Sequence, residues 1–130
     1  MDGWKIVTSR TRKTRKPPRV YVSLNRRGEI AMNAKAFEAI GRPGNVTLLY
    51  DATTRRIGVK YPVALDRHFF PVRRHGRGRK TLVVRAARLL KQFGIEVEET
   101  QVFRDVMCVR FEGSPMLLLQ LGEAAQGGLG

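Results

Sequence analysis

Two stretches of this chain cannot enter a core, and together they decide what the rest can fold into. Residues 8–19, TSRTRKTRKPPR, hold six Arg or Lys and no acid. Residues 67–80, RHFFPVRRHGRGRK, hold six more, with two His and again no acid. Like charges this close repel one another in a compact state, and burying them unpaired is costly. Pro17-Pro18 also blocks both helix and central strand. The apolar material for a fold therefore lies in residues 20–62 and 81–122. Charge divides in nearly the same way. Residues 1–80 carry 20 Lys and Arg against 5 Asp and Glu, and residues 81–130 carry 5 against 6, for a net +14 over 130 residues. An excess of this size implies a polyanion as partner, nucleic acid before any other.

The expected organisation is a flexible basic arm at 1–19, a single compact domain at 20–122 and a disordered tail at 123–130. Within the domain, subunits at 20–62 and 81–122 are joined by a basic loop at 63–80. The N-terminus MDGWKIVTSR lacks an apolar stretch long enough for a signal peptide. The longest aliphatic run, 116–119, is far short of a membrane span. A lone cysteine, Cys108, makes no disulfide framework. These features fit a cytoplasmic protein with no membrane partner.

From Val20 the pattern turns regular. VYVSL alternates and is rich in β-formers, so it reads as a strand. Asn25-Arg26-Arg27-Gly28 is a turn, and GEIAM is a second strand with Ile30 and Met32 on one face. A short helix over 34–40 follows, with Asn33 as its N-cap, Met32 and Phe37 at the positions of a hydrophobic staple, and Gly41 placed to end it. VTLLYD and RRIGVKY read as strands joined through Ala52-Thr53-Thr54. The last third repeats the theme: TLVV as a strand, a helix over 85–93 burying Leu89, Leu90 and Phe93, Gly94 at its end, a strand or hairpin in ETQVFRDVMCVRFE, and PMLLLQL as a final strand. Setting Gly41 on Gly94 brings Ile30 onto Val83, Ala34 onto Ala87, Phe37 onto Leu90 and Ile40 onto Phe93. That is either a faint internal repeat or two unrelated strand–helix–strand units. The expected fold is mainly β with short helices, α+β in class, on a barrel-like or open antiparallel sheet.

RVYVSLNRRGEIAMNAKAFEAIG, RPGNVTLLYD and RRIGVKY, in that order, resemble the AbrB/SpoVT family of small swapped-hairpin transcription regulators over residues 20–61. The shared layout is a strand, a turn ending in Gly, a strand, a short helix ending in Gly, a Pro-Gly turn and a closing hairpin. Glu29 stands where the family has a basic residue, Asn33 where it has Pro, and Phe37 where an Arg is common. The resemblance implies a small barrel that forms when two copies interleave, as a homodimer or as a pseudo-dimer within one chain. It also implies DNA lying across Arg19, Arg26 and Arg27.

The residues expected to carry binding are Arg10, Arg12, Lys13, Arg15, Lys16 and Arg19 in the arm. Arg26 and Arg27 join them on the folded face, and Arg73, Arg74, Arg77, Arg79 and Lys80 in the second basic stretch. Arg and Lys neutralise phosphates and release counterions, and Arg adds bidentate geometry. Tyr21, Phe69 and Phe70 lie among these cations and could stack bases, but core packing is the expectation for them. His68 and His75 stand in an Arg-rich environment that opposes a metal cation. Glu96, Glu98 and Glu99 read as a solvated edge, or as a surface for the basic arm. No phosphate loop and no nucleophile–base arrangement has the required context. The expected function is therefore non-catalytic and without cofactor: nucleic-acid binding, duplex DNA ahead of RNA, as in transcription regulation. An assembly module with a basic docking face is the alternative from another class.

Overall fold

A computed structural model describes residues 19–104 and 106–122. Arg10 to Lys16 in the arm and the tail at 123–130 lie outside them. Among the described residues, nine antiparallel strands form one curled half-barrel sheet: β1 (Tyr21–Leu24), β2 (Glu29–Met32), β3 (Asn45–Asp51), β4 (Arg56–Lys60), β5 (Phe70–His75), β6 (Thr81–Arg85), β7 (Gln101–Arg104), β8 (Met107–Phe111) and β9 (Ser114–Gln120). Two short helices, α1 (Ala34–Ala39) and α2 (Ala87–Phe93), interrupt them. The strand order is β7-β1-β2-β6-β5-β3-β4-β9-β8. No helix among the described residues is long and apolar enough to cross a membrane.

Six of the strands, β7-β1-β2-β6-β5-β3, are arranged symmetrically about the β2–β6 pair. β2 pairs with β6, Ala31 opposite Val83. Hairpin partners β1 and β5 lie outside them. Beyond these, the strands that follow the helices are exchanged. β7, after α2, pairs with β1, and β3, after α1, pairs with β5. The two helices also end alike. Arg42 N–H donates to Phe37 C=O at 2.9 Å, and Ile95 N–H to Leu90 C=O at 2.9 Å. Gly41 and Gly94 supply the positive φ that this terminating motif needs. The correspondence stops at the fourth strand. β4 forms a hairpin with β3, whereas β8 leaves β7 and pairs with β9, which in turn pairs with β4.

Period-two burial explains the core. Val22, Leu24, Ile30, Met32, Leu82, Val84, Ile57, Val59, Leu117 and Leu119 turn to one side, and Ala36, Phe37, Ile40, Leu89 and Leu90 from the helices cover them. The cluster draws on both halves of the chain. Gly28 fixes how the first turn meets the second helix. At φ +85°, a Cβ there would stand 2.7 Å from Ala87 Cα, and its C=O accepts from Ala86 N–H at 2.7 Å.

Four expectations change. Residues 63–80 are not loop throughout, because Phe70–His75 is strand β5 between β3 and β6. Its Arg73 and Arg74 are tolerable in a strand because both remain exposed. The helix over 85–93 begins at Ala87, because Arg85 pairs with Glu29 at the end of β6. Phe93 is 45% exposed and lies against Tyr50, ring centroids 4.9 Å apart, outside the core that Leu89 and Leu90 enter. ETQVFRDVMCVRFE is not a hairpin but two strands at opposite ends of the strand order.

Candidate nucleic-acid interface

The register of β1, β2, β6 and β5 decides which cations share an end of the sheet. One cross-strand row runs Val22–Met32–Leu82–Arg74, and another runs Leu24–Ile30–Val84–Val72. Beyond the first row lie the start of β1 and the β5–β6 turn at 76–80. Beyond the second lies the β1–β2 turn with Arg26 and Arg27. Arg19, two residues before Tyr21, is thus at the same end of the sheet as Arg77, Arg79 and Lys80. With strands about 4.8 Å apart, β1 and β5 are roughly 14 Å apart. Arg19, the described end of the first basic stretch, thus shares one end of the sheet with the β5–β6 turn of the second. Between Phe70 and Arg85 no residue is acidic.

Asn33 holds the arm's exit. Its side-chain oxygen accepts from Ala36 N–H at 2.9 Å, capping α1, and from Tyr21 N–H at 3.2 Å. Its Nδ2 donates to Arg19 C=O at 2.7 Å. One side chain thus joins the helix start, the first strand and the root of the arm. Asn33→Ala is expected to cost about 1–2 kcal/mol, mostly through the lost cap, and to lower the melting temperature by about 5 °C. Asn33→Asp keeps the acceptor but loses the donor to Arg19. It should recover most of that loss in a calorimetric scan.

Within β5 the pleat separates its cations. Arg73, opposite Val83, points to the outer face. Arg74, opposite Leu82, lies on the core side with its guanidinium 5.8 Å from the Phe37 ring centroid. On the outer face, Arg104 of β7 stands over the Tyr21 ring at 5.5 Å. Tyr21 is exposed, against the core expectation, because Val22 and Leu24 take the inward positions. Phe69 is exposed as well, and Phe70 packs against the core opposite Val46.

Arg26 and Arg27 are not brought to the arm. They sit on the far turn, in a cleft shared with Lys91, Glu96 and Glu98. Asn25 organises that turn: its Oδ1 accepts from Arg27 N–H at 3.0 Å and Glu29 N–H at 2.9 Å. Its Nδ2 donates to Glu29 Oε1 at 2.8 Å. That bond, with the Arg27 charge beside it, holds the Glu29 carboxyl below its usual range. Carboxylates thus offset the cations at this end. Arg104 and Asn33 were not among the expected site residues. Only the pairing of distant strands assembles them, and no local motif announces it.

Cys108 is exposed, with Sγ 3.6 Å from Ala39 C=O. Among the described residues no three His, Cys, Asp or Glu cluster as a metal site. No family model, no curated protein and no solved structure matches this chain.

Proposed function

We propose that the chain is a non-catalytic nucleic-acid-binding protein of the cytoplasm that takes duplex DNA in preference to RNA, as a transcription regulator does. The observation that carries this reading is the placement of Arg19 and the β5–β6 turn at one end of the sheet. Arg19, Arg73, Arg77, Arg79 and Lys80 then form the folded part of the footprint, and Arg10, Arg12, Lys13, Arg15 and Lys16 extend it. The roughly 14 Å between β1 and β5 is comparable to the roughly 12 Å major groove of B-DNA. Arg26 and Arg27 play a lesser part. The exchange of β3 and β7 across the β2–β6 centre supports the swapped-hairpin reading, with one chain supplying both halves as an internal pseudo-dimer.

Fluorescence anisotropy with duplex DNA, single-stranded DNA and duplex RNA of equal length, titrated across salt, tests this. The expected result is tightest binding to duplex DNA, with a log–log salt slope of about −0.9 for each phosphate engaged. Preference for RNA would reassign the ligand. No affinity for any of the three at physiological salt would make the basic end a protein-docking surface.

A further inference from the structure

The sheet has two edges, and they are built differently. β7 is four residues long, and its terminal Arg104 is spread over Tyr21. β8 is five residues long, reads MCVRF, and among the described strands pairs with β9 alone. It has no Pro and no Lys, two of the usual means of blocking an open edge, and its one charge, Arg110, lies on the face opposite Met107, Val109 and Phe111. Its pleat sends Met107, Val109 and Phe111 to the outer face, opposite Leu118, Met116 and Ser114. Met107 is 61% exposed and Phe111 37%. Behind them a groove of about 460 Å³ runs across the outer face over Leu118, Met116 and Gly58 to Leu49. An exposed apolar patch beside an unpaired strand edge marks a docking surface.

Charge chooses the occupant. Residues 1–80 would repel a second copy almost anywhere, but residues 81–130 carry 5 cations against 6 anions. The outer side of β8 itself bears no charge. The one cation lining the groove, Arg56, is accompanied by Asp51 and donates to Gln120 Oε1 at 2.9 Å, so an acidic partner finds no excess of positive charge there, whereas a second β8 matches in both pattern and polarity.

We propose that β8 is a self-association edge, where a second copy docks antiparallel about a two-fold axis at Val109. This register overlaps all five residues. It sets Met107 against the partner's Phe111 and closes the apolar face. It also sets Arg110 against the partner's Cys108, so that the two Arg110 side chains do not face one another. The interface lies outside the expected footprint, so its test does not depend on what the basic end binds.

The test is sedimentation velocity of the full chain from micromolar to submillimolar concentration, in salt high enough to screen the basic regions. A reversible dimer is expected. Val109→Lys should raise its dissociation constant at least tenfold while leaving the circular dichroism spectrum unchanged. Independently, Val109→Cys in a Cys108→Ser background should form an intermolecular disulfide on mild oxidation. Cα atoms across an antiparallel pair stand about 4.5–5.5 Å apart, within disulfide reach. Val102→Cys on β7 in the same background should not crosslink. A monomer at every concentration overturns the proposal, as does a dimer that Val109→Lys leaves intact or that fails to crosslink at position 109.

Discussion

Replacing Asp66 with Ala is expected to destabilise the fold by about 3–5 kcal/mol, the usual cost of stripping the partner from a buried charge. Lys60 is 1% exposed, although it stands on the outer side of β4. It is buried because the connector between β4 and β5 folds back over it. Asp66 Oδ2 accepts from Lys60 Nζ at 2.9 Å, Val63 N–H at 2.9 Å and Thr47 Oγ1 at 2.8 Å. Without that carboxylate, an ammonium and two further donors lose their acceptor together. Urea denaturation at neutral pH measures the loss. Lys60→Met combined with Asp66→Ala should cost less than the sum of the two single changes, because the pair acts as a unit.

The same contact makes stability depend on acid. The Lys60 hydrogen bond, helped by those from Val63 and Thr47, lowers the Asp66 carboxyl from 3.8 to about 2. A carboxyl depressed in the folded state stabilises it above the ordinary value. That contribution fades as pH falls through the folded value. The wild type should therefore lose this increment between about pH 4 and pH 2. Asp66→Ala lacks it throughout, so the gap between the two should narrow by about 2 kcal/mol across that window, without closing. A gap that stays constant down to pH 2 would show that the carboxylate charge is not what stabilises the connector.

The largest effect on binding is expected at the β5–β6 turn. Changing Arg77, Arg79 and Lys80 together to Ser should flatten the salt slope by close to 3, at about 0.9 per phosphate. Affinity for every duplex sequence should fall about a hundredfold at moderate salt, since phosphate contacts carry no sequence information. Deleting residues 1–18 should act in the same direction. Arg26→Ser with Arg27→Ser should do far less, because Glu29, Glu96 and Glu98 already offset that end. Anisotropy titrations of the variants at several salt concentrations separate these outcomes. Equal effects from the two turns would mean that the footprint is not confined to one end.

Much of the local structure was legible from residue order. Alternation placed β1, β2 and β6, Asn33 marked a helix start, and Gly41 and Gly94 marked helix ends. Each of these is decided within a few residues. Phe93 misled because a helical period gives the spacing of a face but not what lies opposite it. Arg73 and Arg74 misled because charge argues against burial, yet β3 pairs only with Phe70 and Pro71, and β5 leaves both arginines exposed beyond that pairing. The site was the least legible part. That Arg19 lies with Arg79, and away from Arg27, depends on β2 pairing with β6 and on the direction in which β1 runs. No residue near Arg19 encodes either. Asn33 looked like a helix cap, and its bond to the Arg19 carbonyl appears only when the chain entering β1 is seen beside it.

The exchange of strands has a consequence for the growing chain on the ribosome. β1 waits for β7, β2 for β6, β3 for β5 and β4 for β9. When residue 62 has been made, the first half has every strand it will contribute and lacks the neighbour that each of the four needs. Such distant pairings slow folding, because the entropy of closing long loops is paid before any pairing compensates for it. The strongly basic half is synthesised first, so like-charge repulsion holds nascent copies apart during the interval when their strand edges are open.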